Sequence, residues 1–303
     1  MITAIVDESN LAPINGAAGF LEAYSNLTDL IKKIKKDDVS LLKHSSIWEC
    51  AVSENLKLFE VLFEKKTDLD DDIRELFFRE LDGLSNCDAT DGVPSARDFS
   101  LSLLREHRAC GLVVIPCRDR VEKIENYKLF SVGNKESALA FYRAANELGD
   151  FTEGDLIENG KRAFPSLFFR ENIAAQISKF SESYLPSMRP KIVQALSDLN
   201  DYLPAVLAET KHAPDVENRF NALSQFSISP ESPNTRRNAS AIKERDVTVE
   251  KRGPGGAVER FTVRCEWHLK IHATRDRIHF HFGVPAIAGN KIIIGIFCDH
   301  LTV

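Results

Sequence analysis

Residues 266–283 read EWHLKIHATRDRIHFHFG. Side chains alternate across a β-strand, so residues i, i+2 and i+4 share a face. Over 265–272 this places Cys265, Trp267, Leu269 and Ile271 on one face and Glu266, His268, Lys270 and His272 on the other. Over 277–282 it places Ile278, Phe280 and Phe282 opposite Arg277, His279 and His281. ATRD (273–276) reads as a four-residue turn. Closing the hairpin there pairs His272 with Arg277, Lys270 with His279 and His268 with His281. The apolar partners are then Ile271 with Ile278, Leu269 with Phe280, and Trp267 with Phe282. A one-residue slip would set apolar side chains against polar ones.

The polar face of this hairpin is the candidate site. Histidine titrates near neutrality and serves as general acid or base. Lys and Arg stabilise charge that builds on a phosphorane. His268, Lys270, Arg277, His279 and His281 are therefore the candidate catalytic residues for RNA cleavage without a metal; no cofactor is expected. Two other chemistries fit less well. His279 and His281 with His268 across the strand and Glu266 nearby would hold zinc, but the spacing matches no zinc signature. His268-Leu-Lys270 has the HxK form of phospholipase D-type nucleases, yet Arg275 stands where their Asp falls, and the Asp is Asp276.

Outward from the hairpin, DVTVEKR (246–252) and VERFTVR (258–264) alternate as two strands joined at GPGG. KIIIGIFC (291–298) is apolar on both faces, which predicts a central strand covered on both sides. Upstream, SISPESPNTRRNAS (227–240) is rich in Ser, Pro and Asn and reads as a linker or surface loop. Residues 1–226 read as an α-rich body with a few strands. Helical periodicity runs through 21–36, SENLKLFEVLFEKK, LDDDIRELFFRELDGL, KESALAFYRAANEL, 171–185 and 190–209, the last broken at Pro204. DLDDD is read as a helix N-terminus rather than an ion site. ITAIV (2–6) is a short strand turning at DESN, and GLVVIPC and YKLFSV are further strands. The expected fold class is α+β: a mixed body over 1–226, a linker over 227–240, and a C-terminal antiparallel β-sheet domain over 241–303.

The charge is unevenly spread. Residues 235–303 carry twelve Lys and Arg against seven Asp and Glu, so that segment is +5 and the remainder −11 of a total of −6. A basic end with five histidines predicts an anionic partner: nucleic acid, RNA foremost, or an acidic protein in a complex. The six cysteines form no CxxC pair and read as free thiols of a reducing compartment. The acidic start MITAIVDESN lacks the basic and apolar regions of a signal peptide, and no apolar run suits a membrane span. A cytoplasmic protein without membrane contact is expected.

DRIHFHF followed by KIIIGIFCDHL is similar to the closing strands of the RelE/ParE-type toxin fold. The likeness covers about forty residues. It implies a twisted antiparallel sheet and metal-independent mRNA cleavage by basic residues on the sheet. Arg277 would match the family's strand arginine and His300 its terminal basic position. The whole chain also resembles bacterial proteins carried beside mobile elements and defence loci. The expectation is a bacterial nucleic-acid-acting effector, a metal-independent ribonuclease of a toxin or phage-defence system. The alternative is a non-enzymatic nucleic-acid- or protein-binding subunit of a multi-protein defence or mobile-element complex.

Overall fold

The computed structural model describes residues 2–11, 16–37, 39–53, 55–89, 92–115, 121–124, 127–147, 152–181, 187–210, 212–252 and 257–302. Cys117 and the GPGG turn lie outside them. Helices and strands are mixed throughout, and the chain is α+β. It divides into two compact units, Met1–Asp150 and Phe151–Val303.

In the first unit the strands are β1 (Thr3–Leu11), β2 (Ser40–Lys43), β3 (Ala51–Ser53), β4 (Leu56–Lys57), β5 (Ser85–Asn86), β6 (Cys110–Ile115), β7 (Val121–Ile124) and β8 (Tyr127–Val132). Six of them form a sheet in the order β5-β2-β1-β6-β8-β7, parallel except for the β7–β8 hairpin. β1 runs on through DESN, where a turn was expected. Its pairing with β6 shifts register between Val6 and Leu11. The helix Gly16–Lys36 buries Leu27, Leu30, Ile31 and Ile34 of the stripe its periodicity predicts, whereas Leu21, also in that stripe, is exposed. Asp70 caps the helix Asp71–Asp82 by accepting from the Asp72 N–H, so DLDDD is a helix start. SENLKLFEVLFEKK is helical only over Leu58–Leu62, because β3 and β4 form a hairpin before it.

The second unit holds β9 (Leu167–Phe169), β10 (Ser227–Pro230), β11 (Asp246–Arg252), β12 (Val258–Arg264), β13 (Trp267–Lys270), β14 (Arg277–His281) and β15 (Ile292–Cys298). Five form a sheet in the order β10-β13-β14-β15-β9, antiparallel except that β9 lies parallel to β15. β15 is buried at every residue and flanked by β14 and β9, as a strand apolar on both faces must be. Two boundaries differ from the expected ones. The division falls after residue 150, not 226. The supposed linker 227–240 belongs to the second unit: β10 pairs with β13, and the short helices Pro233–Arg237 and Ala239–Lys243 follow it. Ser and Asn there cap helices: Ser232 accepts from the Thr235 N–H and Asn238 from the Ser240 and Ala241 N–H groups.

From Trp267 to Lys270 and from Arg277 to His281 the central hairpin keeps its faces but not its register. Cys265, expected on the face of Trp267, instead packs with Ile293, Ile296 and Cys298 on the histidine face, because the strand is interrupted at residues 265–266. Trp267 pairs with Phe280, His268 with His279, Leu269 with Ile278 and Lys270 with Arg277. This is two residues tighter than the expected closure, and a shift of two leaves every side chain on its face. Asp276 accounts for the change. It is fully buried, at φ 56°, and its carboxylate accepts from the Ser181 N–H and hydroxyl at 2.7 Å each. Its own N–H donates to the Asp299 carbonyl, and its carbonyl accepts from the Ile271 N–H. Asp276 is thereby anchored just before β14 by Ser181, Ile271 and Asp299.

The β14–β15 pairing steps from His279↔Ile296 to Phe280↔Ile294, leaving Gly295 as an unpaired bulge residue. Strand partners lie on one face, so the bulge puts Ile293, Ile296 and Cys298 on the face of His281, His279 and Arg277. The β11–β12 hairpin packs there, with Val247, Val249, Val263 and the adjoining Cys265 forming one core with Ile293, Ile296 and Cys298.

Candidate functional site

The face read as polar and solvent-exposed is largely covered. His268 is 6% exposed and His279 1%. Their rings stand side by side on adjacent strands, centroids 5.2 Å apart and tilted by 41°. Two residues missing from the sequence reading complete the cluster. Glu231, just after β10, is held by its N–H donating to the Glu266 carbonyl at 2.8 Å. Arg245 follows the helix Ala239–Lys243 and donates through Nε to Glu231 Oε1 at 2.9 Å. Both are buried. The same Oε1 lies 3.7 Å from His268 Nδ1 and 3.6 Å from His279 Nδ1. Ser229 Oγ meets His268 Nε2 at 3.1 Å. Among the described residues, His268 Nδ1 and both nitrogens of His279 make no hydrogen bond of ordinary geometry, although the Cys265 backbone lies close enough to His279 to favour its protonated form.

Electrostatics keep this pair neutral. Burial pushes His268 down to about 3, helped by the cations of Arg277, Lys270 and Arg245. Burial, then His268 and Arg245, pushes His279 well below the imidazole range. An unfolded chain takes up these protons near pH 6.5 and the folded one does not. The stability is thus full above about pH 6.5 and declines as the pH falls towards the folded value, by up to roughly 1.4 kcal/mol per pH unit for each histidine. Denaturant titrations from pH 7 to pH 4.5 should show a steeper loss for the wild type than for a His268→Gln, His279→Gln double variant. Equal slopes would contradict neutral burial.

The other three candidate residues sit around the pair. Lys270 and Arg277 are cross-strand partners and part-exposed. Arg277 Nη1 donates to His300 Nε2 at 2.7 Å, and His300 Nδ1 donates to the Leu301 carbonyl at 2.6 Å. Neither Lys270 nor Arg277 has a carboxylate partner among the described residues. The surrounding cations differ: Arg264 pairs with Asp246, Arg260 with Glu250, Lys251 with Glu259 and Arg236 with Glu266. Four of the segment's twelve cations are thereby paired with its own carboxylates, three of them across the β11–β12 hairpin. His281 lies further along the face, accepts from the Gly283 N–H at 3.0 Å, and is lowered by burial. The structure thus brings His268 and His279 together, sets Lys270 and Arg277 beside them, and leaves His281 apart. Lys270 and His272 also border a cleft of about 360 Å³ with Asn221, Ser224, Phe226 and Ser227.

The sequence held little sign of Glu231 and Arg245. SPESP carries the signature of a turn, and only the Ile228 flanked by serines hinted at the strand that delivers the carboxylate.

The first unit has a second polar cluster where its strand order turns back between β1 and β6, the usual place for ligands in parallel sheets. Glu8 Oε1 accepts from the Ala96 N–H at 3.0 Å and lies 4.0 Å from His44 Nδ1. His44 Nε2 donates to the Val93 carbonyl at 2.8 Å, with Asp88 at 3.6 Å. Asp88 accepts from the Ser45 N–H and hydroxyl. Burial raises the Asp88 carboxyl, and the Ser45 bonds outweigh that and hold it below the carboxylate range. These bonds run mainly to backbone and cap the helix Ala96–Arg105, so the cluster serves the fold.

Fold and site thus define an α+β protein with a buried His–His–Glu–Arg cluster beneath a cationic edge. The chain matches no protein-family model, no curated protein and no solved structure.

Proposed function

We propose that the chain acts on nucleic acid as a binding protein, gripping a phosphodiester backbone where Lys270, Arg277 and His300 meet. The observation that carries this reading is the pairing of two part-exposed cations on adjacent strands, with no carboxylate to neutralise them. Phosphate oxygens are the complementary ligand, and backbone contacts of this kind supply most of the affinity in such complexes. The cleft beside Lys270 adds an aromatic side chain, Phe226, and polar groups able to receive an unstacked base, which favours single-stranded RNA over a duplex. Arg277 and His300, the two positions singled out by the toxin resemblance, are in contact.

Metal-independent RNA cleavage through His268 and His279 asks both to exchange protons with a bound polymer. Their burial and neutrality favour gripping over cutting. Within a toxin or phage-defence system, such a unit would hold the nucleic acid for a partner protein.

The test is fluorescence anisotropy of a labelled single-stranded RNA oligonucleotide titrated with the full chain at several salt concentrations. Lys270→Ala and Arg277→Ala are each expected to weaken binding about five-fold or more. Each should also reduce the steepness of the log affinity–log salt plot by about 0.7. Lys291→Ala, an exposed change outside the edge, should leave both unchanged. Absence of binding at low salt, or unaltered affinity in both variants, would refute the proposal. RNA cleavage by the wild type that disappears in His268→Gln would refute it in favour of the ribonuclease reading.

A further inference from the structure

We infer that Glu231, His268 and His279 form a binding site for a divalent transition-metal ion of the zinc class, independently of the nucleic-acid grip. The three donors lie within 4.8 Å of one another and come from three neighbouring segments, the end of β10, β13 and β14. All three residues are more than nine-tenths buried.

Buried polar atoms in native proteins almost always have a partner. Here His268 Nδ1 and both nitrogens of His279 make no hydrogen bond of ordinary geometry among the described residues. Both Nδ1 atoms lie beside one carboxylate oxygen, at 3.6 and 3.7 Å. Two ligands bound tetrahedrally at about 2.0–2.1 Å are separated by about 3.3 Å, so each imidazole needs to approach the carboxylate by only a few tenths of an ångström, and the two rings, within 4.8 Å of each other, close together around the ion. Ser229 supplies the outer contact typical of a ligating histidine: with Nε2–H donating to its hydroxyl, the Nδ1 lone pair of His268 is available.

Two imidazoles and one carboxylate suit zinc and its neighbours rather than the hard ions magnesium and calcium, which take oxygen donors. A water molecule completes the fourth position. Arg245 opposes the ion, because it already neutralises Glu231. It donates to the same Oε1, so the ligating oxygen would also be hydrogen-bonded, as ligating carboxylates usually are. The site pins β10 to the β13–β14 hairpin beneath the cationic edge.

The experiment uses the purified full chain, stripped with a chelator and re-equilibrated with Zn²⁺ or Co²⁺ alone. One equivalent of metal is expected per chain, with Mg²⁺ and Ca²⁺ failing to compete at a hundred-fold excess. His268→Gln and His279→Gln should each lower the stoichiometry below about a tenth, while His272→Gln and His281→Gln retain it. X-ray absorption of the Zn²⁺-loaded wild type supplies a readout that needs no variant. A nitrogen and oxygen shell with the scattering of two imidazoles is expected. A wild type that takes up no metal, a folded His279→Gln that keeps it, or a shell lacking imidazole would each overturn the inference. RNA affinity measured in parallel separates this result from the grip, because loss of metal uptake leaves Lys270 and Arg277 in place.

Discussion

Glu231→Ala is expected to destabilise the second unit by about 3–5 kcal/mol, because it strands a buried guanidinium without its counter-charge. Arg245 is 2% exposed. Its Nε donates to Glu231, and its remaining contacts are the Ala241 carbonyl and the edge of Glu244. Removing the carboxylate also releases the Glu231 side of the histidine cluster and loosens the end of β10. The chain has two tryptophans, Trp48 in the first unit and Trp267 on β13. Trp48→Phe therefore makes fluorescence report on the second unit alone, and urea titration in that background reads the loss directly. Replacing both partners, Glu231→Leu with Arg245→Met, should recover a large part of it, since removing a buried pair together is far milder than orphaning one member. A Glu231→Ala variant as stable as its parent would show that the pair does not hold this face closed.

Gly295→Val is expected to prevent the second unit from folding stably, and Gly295→Ala to cost about 1–3 kcal/mol. A Cβ at residue 295 would come within 2.3 Å of Cys265 Sγ and 3.3 Å of Val247 Cγ2. Nothing there yields easily. Cys265 is fully buried, and Val247 belongs to the hairpin that closes the core. Gly295 is also the bulge residue that turns Ile296 and Cys298 towards that core, so its position is set by both space and pairing. The diagnostic variant is Gly295→Ala in a Cys265→Ala background. Without the sulfur, the nearest remaining atoms are Val247 Cγ2 at 3.3 Å and the residue 265 Cβ at 3.4 Å, close to ordinary contact. The alanine penalty should then fall by half or more in the same urea measurement. An unchanged penalty would place the strain in the backbone instead.

Much of the local structure is written in periodicity. The strands Tyr127–Val132, Asp246–Arg252 and Val258–Arg264 fall where alternation predicts them. The helices Asp71–Asp82 and Lys135–Glu147 follow their apolar stripes and caps. Helix signals failed where tertiary pairing competed: SENLKLFEVLFEKK yields its start to the β3–β4 hairpin, and the described part of 171–185, up to residue 181, forms a 3₁₀ turn over Ala174–Lys179. The residues 190–209 do divide as Pro204 foretells, into Arg189–Asp201 and Leu203–Glu209.

For EWHLKIHATRDRIHFHFG, the sequence by itself determined the faces: Trp267, Leu269, Ile278 and Phe280 on one side, His268, Lys270, Arg277 and His279 on the other. Alternation is a property of the extended backbone and survives any shift by an even number of residues. Register, burial and partners were decided only by the tertiary structure. Ser181, nearly a hundred residues upstream, anchors Asp276 at the start of β14, where the pairing is moved by two. The bulge at Gly295 brings the β11–β12 hairpin over the polar face, and Glu231 arrives there from a stretch with the composition of a loop, Arg245 from the short segment between that stretch and β11. Such long-range contacts leave no periodic trace in the chain, and they are what turned a face rich in titratable groups into a buried, neutral cluster with Lys270 and Arg277 at its edge.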